Sequence, residues 1–372
     1  MGVHDDIMRH RAPTPADALQ TDDWRGPDAV PTAVPRRPVA RAATTITDRL
    51  HLNARKAGAA RERDRAREIV AVGKEAVTGA FAAIRDGLPI PIRALAPVVE
   101  AIAASVARDA AAMHGVTRLK QRHEYTYLHS VSVCGLMIGL AHVLEMDPAL
   151  IPEIGLAGLL HDIGKARVPN LLLDKPGPLT DAEFALVRTH SERGHELLLR
   201  AGVDSPIALD VCLHHHERPD GRGYPERLFE DQVSRYARMG AICDVYDAVT
   251  SARAYKDSWT PGEALEWMAE TEGQFDRKIL SLFSAMIGPL SVGTVVRLAS
   301  DRLALVVEDG EAERPPIVVA FHCALTDRPL PLRIVEGRHD AITGVERAAR
   351  WRFEDWRMTK RAAFAFHAAA RG

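Results

Sequence analysis

Aromatic residues are sparse in this sequence, at 5%, and cysteine occurs only four times in 372 residues. Cys134, Cys212, Cys243 and Cys323 form no Cys-x-x-Cys pair, and each lies among apolar neighbours. No disulfide framework can be read from them. They read as small buried side chains in a reducing cytoplasm. An excess of one charge is also missing: 48 Lys and Arg against 50 Asp and Glu leave −2. Neither a nucleic acid polymer nor an acidic lipid surface is therefore expected as the main partner. Long hydrophobic runs are lacking too. The most apolar stretch, from Val131 to Leu160, is interrupted by His142, Glu145, Asp147 and Glu153. A span needs about 20 nearly unbroken apolar residues, so no membrane segment is expected. The first 40 residues carry no apolar core of a secretion signal.

What is present is an ordinary globular composition, 47% apolar and 26% charged. The length fits two or three units of roughly 100–200 residues. Residues 1–45, rich in Pro, Ala, Arg and Asp, show no sustained period and read as disordered. Residues 46–120 read as an N-terminal helical region, broken once at Gly87, Pro89 and Pro91. Residues 121–288 read as a run of helices. Asp147-Pro148 starts one that runs to about Ile163, and Thr180-Asp181-Ala182-Glu183 is a capping box whose helix would carry His190. Ser205-Pro206 starts another, ending near His216; a helix from Gln232 to Tyr255 and a second capping box at Thr260 to Glu263 follow. In residues 289–340 short β-branched runs alternate with turn residues and predict a small antiparallel β-unit. Residues 341–372 read as a basic helical tail.

Nine of the 16 histidines fall between His123 and His216. His161-Asp162 follows an apolar helical run, so both side chains should be partly buried. A buried carboxylate is costly unless it is paired or holds a metal. His214-His215-His216-Glu217 ends a predicted helix, Asp244 sits inside an apolar one, and His129 and His190 lie on helices that look core-facing. Five helices each carrying an inward-facing ligand type are hard to explain as separate core residues. Imidazole with carboxylate suits iron, manganese or zinc rather than calcium or magnesium. Seven ligands exceed the needs of one ion. They imply two ions sharing a carboxylate, the arrangement used for in-line displacement at phosphorus. Lys165, Arg253 and Lys256 lie close in sequence to these ligands and could hold phosphate oxygens.

These motifs resemble the HD-GYP family, a branch of the HD phosphohydrolases. The matching segments are Tyr125 to Ser130, His161-Asp162-Ile163-Gly164-Lys165, Lys175 to Thr180, and His190 followed by Gly194. His215 to Pro225 and Asp244 to Thr250, with Arg253, Tyr255 and Lys256, complete them in family order across about 150 residues. The resemblance implies a mainly α fold: a helical bundle around a dinuclear metal site, with a small C-terminal antiparallel β-unit. It implies hydrolysis of cyclic di-GMP to pGpG, GMP or both, by a hydroxide bridging two divalent ions, iron or manganese. His129, His161, Asp162 and Asp244 resemble the ligands of one ion. Asp162 would bridge to a second ion held by His190, His215 and His216. Asp162, Lys165 and Asp247 match catalytic positions. Lys165, Asp247, Arg253 and Lys256 match substrate contacts, as do Gly223 and Tyr224 of the Gly223-Tyr224-Pro225 loop, which is also linked to partner contact. Some members gain a third metal from a Glu where Tyr125 stands here, so two ions are expected, with Glu124 pointing elsewhere. Two other readings remain open: a weakly catalytic effector that binds a cyclic dinucleotide, and a phosphohydrolase for another nucleotide. A homodimer through the helices before Met113 is a further open reading.

Overall fold

The computed structural model describes residues 62–117, 125–173, 175, 177–251, 259–288, 290–308, 315–336, 340–351, 353 and 355–371. The readings for residues 1–45, and for 46–61 as helix, lie outside these residues.

Two long helices come first, α1 (Glu62–Arg85) and α2 (Ile92–Thr117). Gly87, at φ 70°, supplies the left-handed turn between them. The bundle follows with α3 (Tyr125–Val143), α4 (Ile151–Leu160), a single turn α5 (Asn170–Leu173), α6 (Asp181–Arg188), α7 (His190–Arg200) and α8 (Pro206–His214). It closes with α9 (Arg235–Thr250), α10 (Pro261–Glu270) and α11 (Arg277–Ile287). Local chemistry starts these helices where the sequence predicts. Thr180 and Thr260 form reciprocal capping boxes with Glu183 and Glu263, and Ser205 caps α8 ahead of Pro206.

The helix expected from Gln232 to Tyr255 runs only from Arg235 to Thr250, with Ser251 extended, and two boundaries at the histidine cluster also differ from expectation. α4 stops at Leu160 and yields to a 3-10 turn over Ile163–Arg167, so His161 and Asp162 sit at a helix end rather than within a helix. The helix begun at Thr180 ends at Arg188, and His190 opens the next one after a single joint at Thr189.

The boundary expected at residue 120 divides no core. Buried residues of α1 and α2, such as Phe81, Val98 and Ile102, belong to the same hydrophobic cluster as Val131, Ile138, Leu159 and Phe283. Phe81 meets Tyr127 edge-on, with ring centroids 5.3 Å apart. α3 is thus wrapped on several sides, which explains why its apolar residues show no single face. Gly158 lets α4 approach closest: a Cβ there would stand 2.9 Å from the backbone of Cys134.

The β-unit is a five-stranded antiparallel sheet in the order β4-β3-β2-β1-β5. Its strands are β1 (Val295–Leu298), β2 (Arg302–Glu308), β3 (Ile317–Cys323), β4 (Arg328–Glu336) and β5 (Ile342–Glu346). Side chains alternate between its faces, with Val296, Ala304 and Val318 on one and Val295, Leu305 and Val319 on the other. β5 corrects the reading of residues 341–372 as wholly helical. It is short and interrupted by Gly344, so it leaves little strand signal. Only α12 (Trp356–Arg371) is an α-helix there, and it packs Ala363, Phe364 and Trp356 against the sheet.

Gly158→Ala should destabilise the protein by about 1–3 kcal/mol, the usual cost of overpacking a tight helix contact. Urea unfolding followed by circular dichroism measures it.

Candidate metal centre

Three segments deliver their imidazoles to one place by the same device. The Nδ1 of His161 donates to the Gly158 carbonyl at 2.8 Å, that of His190 to Val187 at 2.7 Å, and that of His215 to Val211 at 2.9 Å. These carbonyls lie in the last turns of α4, α6 and α8, and that of Val211 also accepts the His215 backbone N–H at 3.0 Å through its other lone pair. In His129, on α3, Nδ1 instead bonds Asp247 Oδ2 at 2.6 Å. A proton fixed on Nδ1 leaves the Nε2 lone pair free, and in all four rings Nε2 faces the centre.

Asp162 stands between the rings, fully buried. Its Oδ2 lies 3.3 Å from His161 Nε2 and 3.7 Å from His129 Nε2. Its Oδ1 lies 3.3 Å from His190 Nε2 and 3.8 Å from His215 Nε2. One carboxylate therefore presents one oxygen to each of two imidazole groups. His216 Nε2 joins the second group, 3.2 Å from His190 Nε2. Asp244 joins the first, with Oδ1 2.9 Å from His129 Nε2 and 3.8 Å from His161 Nε2. All seven residues singled out from the sequence converge.

The electrostatics suit cations. Burial pushes His190 down to about 4 and His215 down to about 3, so both are neutral near pH 7. Asp162 is held well below the usual carboxylate range: burial opposes this, but Lys165 and His161 outweigh it. Asp244 is likewise lowered, against burial, by its bond to His129. His129 is raised, again against burial, by Asp244 and Asp247. His161 Nε2 and Asp162 Oδ1 are buried without a hydrogen-bond partner. Such atoms are costly unless something satisfies them. Neutral imidazoles with converging lone pairs around a bridging carboxylate fit two divalent ions. Two groups with ligand atoms mutually within 4.8 Å share Asp162: His129, His161 and Asp162, and Asp162, His190, His215 and His216. Three helices also end here, and the negative ends of their dipoles favour positive charge.

Gly164 makes the arrangement possible. A Cβ at this position would fall 1.9 Å from the His190 carbonyl oxygen, so only glycine lets the turn after Asp162 touch the start of α7. Lys165, half-buried on that turn, makes a direct ion pair with Asp162 Oδ2.

The Gly223-Tyr224-Pro225 loop covers the second group. Tyr224 is buried and stacks on His216, with ring centroids 4.6 Å apart at 24°. Arg188 lies over the outer part of this pair, its guanidinium carbon 4.3 Å from the Tyr224 centroid. Glu217 anchors the loop: its buried carboxylate accepts from the backbone N–H of Glu226, Arg227 and Leu228 at 2.6, 2.9 and 3.1 Å. His214, excluded from the ligand set, bonds Asp210 at 2.8 Å and stays outside the cluster.

Asp247 is buried behind His129, bonds its Nδ1, and accepts a second bond from Ser132. Arg253 and Lys256 lie outside the described residues, as does Glu124. Sequence reasoning missed Ser132, Arg188 and the anchoring role of Glu217. Ser132 sits one turn after His129, a weak signal. Arg188 carries none.

An HD domain family model matches residues 105–279. The cyclic di-GMP phosphodiesterase PA4108 of Pseudomonas aeruginosa is 47% identical over 287 residues, 76% of this chain and 69% of that protein. The chain belongs to the HD-GYP family. A second likeness is more partial: the 3′3′-cGAMP-specific phosphodiesterase 2 of Vibrio cholerae is 37% identical over 145 residues, 38% of this chain and 28% of that protein. Among solved structures, Bd1817, an HDG"Y"P protein from Bdellovibrio bacteriovorus, superposes with a TM-score of 0.52 at 18% identity. The match covers 67% of this chain and 77% of that one, a likeness of fold. No helix among the described residues is long and apolar enough to cross a membrane.

Glu217→Ala should release the segment from Glu226 to Leu228 while leaving the bundle folded. Trypsin should then cut after Arg222 and Arg227 much faster than in the parent protein, at unchanged helical circular dichroism.

Proposed function

We propose that this chain is a metal-dependent phosphodiesterase that hydrolyses cyclic di-GMP to pGpG, GMP or both. The observation that carries the reading is Asp162, with one oxygen toward each imidazole group. In this reading His129, His161, Asp162 and Asp244 hold one divalent ion, and Asp162, His190, His215 and His216 hold the other. Iron or manganese suits these donors best. Two such ions supply Lewis-acid stabilisation of a phosphoryl group and make water acidic enough to attack it near neutral pH.

The chain's own residues do the rest. Lys165, paired with Asp162 and partly open to solvent, holds a non-bridging phosphate oxygen and offsets charge that builds during in-line displacement. Arg253 and Lys256, by sequence position, hold the second phosphate. Asp247 keeps the His129 proton on Nδ1. Tyr224 packs on His216 and limits how that ring can turn. Gly223 and Tyr224 form the edge against which a guanine base rests. A protein partner would meet this loop at its exposed residues, Arg222, Glu226 and Arg227, since Tyr224 faces inward. We place the enzyme in the cytoplasm, where the buried free thiols Cys134, Cys212 and Cys243 stay reduced.

A second substrate, 3′3′-cGAMP, is favoured by the likeness to the 3′3′-cGAMP-specific phosphodiesterase 2 of Vibrio cholerae. Full-length protein loaded anaerobically with iron(II) or manganese(II) should cleave cyclic di-GMP faster than 3′3′-cGAMP. The reverse order would reassign the substrate. Cleavage of neither, with two ions bound, would make the chain an effector.

Asp162→Ala should abolish hydrolysis and remove most of the metal, measured by elemental analysis. Full activity in that variant would end the proposal. Asp247→Asn, which preserves shape, should weaken metal binding by about 10- to 100-fold. Competition with a chelator reads this directly.

A further inference from the structure

A second cavity, of about 470 Å³, opens between the bundle and the β-unit. None of the residues lining it belongs to the imidazole cluster. Ligand pockets typically span roughly 300–1,000 Å³. Its walls are mostly apolar, with Leu265, Ala285, Val295, Val345, Ala348 and Trp356 contributing. A neighbouring hollow of about 350 Å³ shares Glu263, Glu266, Ala348 and Trp356 with it and adds Trp267, Trp351 and Phe353.

One carboxylate in this cleft forms no ion pair among the described residues, although Arg347 and Glu346, the latter paired with Arg297, also line it. α10 carries Glu263, Glu266 and Glu270 at three- and four-residue spacing, on one side of the helix. Glu263 is paired with Lys360 at 2.6 Å, and Glu270 with Arg347 at 3.6 Å. Glu266, between them, has a buried Oε1 with no hydrogen-bond partner. Its carboxyl is pushed up by burial and by Glu270, against a smaller opposing pull from Arg347. Ser291, 6% exposed, lines the same cavity, and its hydroxyl also lacks a partner. Aromatic faces beside a carboxylate whose buried oxygen has no hydrogen-bond partner attract cations. The apolar walls disfavour a hydrated metal ion.

We propose that this cleft binds a small organic cation, one positive charge on an apolar body, with its charged end on Glu266 and an N–H donated to Ser291. The site is independent of the metal centre and of the reaction assigned to it. Because α10 and β1 both line it, occupancy would brace the β-unit against the bundle.

Calorimetric titration of the full chain with benzamidine and phenethylamine, both cations near neutral pH, tests this. Neutral benzamide and 2-phenylethanol serve as matched controls. Each cation should saturate one site, at least tenfold tighter than its neutral counterpart. Glu266→Gln keeps the shape and removes the charge. It should bring the cations down to the level of the neutral compounds, with metal content and thermal melting retained. Ser291→Ala should give a smaller loss. Cation binding unchanged in Glu266→Gln, equal binding of charged and neutral compounds, or no saturable binding of either cation would overturn the proposal.

Discussion

A buried carboxylate shared between two sets of imidazoles is the constraint on which this molecule turns. Asp162 is fully enclosed, and an enclosed negative charge survives only if its surroundings repay the lost water. Lys165 compensates from one side and the histidines face it from the others. Each surrounding detail serves that balance. Gly164 permits the contact that brings His190 near, and the 3-10 turn after Asp162 swings Lys165 back onto it. Replacing the centre with apolar side chains would relieve the electrostatics but leave several helix ends with nothing to meet.

Those ends are where the geometry originates. Three of the four Nδ1 protons are held by carbonyls from the final turns of α4, α6 and α8. Backbone carbonyls near the helix termini, each with a lone pair to spare, become the clamps that orient the rings. No side chain has to be recruited for this purpose, so the orientation costs little extra entropy. His129 lies within a helix instead, and it alone is oriented by a carboxylate, Asp247. The difference follows from where each ring sits along its helix.

This is also why much of the site was legible in the sequence and some of it was not. His129, the His161-Asp162 pair, His190 and Asp244 stand out as ligand types on apolar or core-facing helical segments, whereas the choice of His215 and His216 over His214 rests on the family resemblance. The capping boxes at Thr180 and Thr260 are local and fixed their helix starts well. Two features are set by distant contacts. The break at Thr189 depends on α7 meeting the turn at Gly164, and nothing in the surrounding residues announces it. The inward turn of Tyr224 depends on His216 and Arg188, which lie far apart in the chain. β5 was missed for a related reason: five residues with a central glycine pair with β1 because the sheet edge is available, whatever their own preference.

The hairpin of α1 and α2 has no interior of its own. Val131, on the helix that carries His129, lies against Gly73, and Gly135 lies against Ile102 and Met113. Severing the chain ahead of α3 would strip one wall from the helix that holds a ligand. Conversely, whatever tilts or pairs that hairpin moves a wall of the metal site directly, through the packing itself. Regulation, if it enters from the N-terminal side, arrives here as mechanics rather than as a message passed between separate modules.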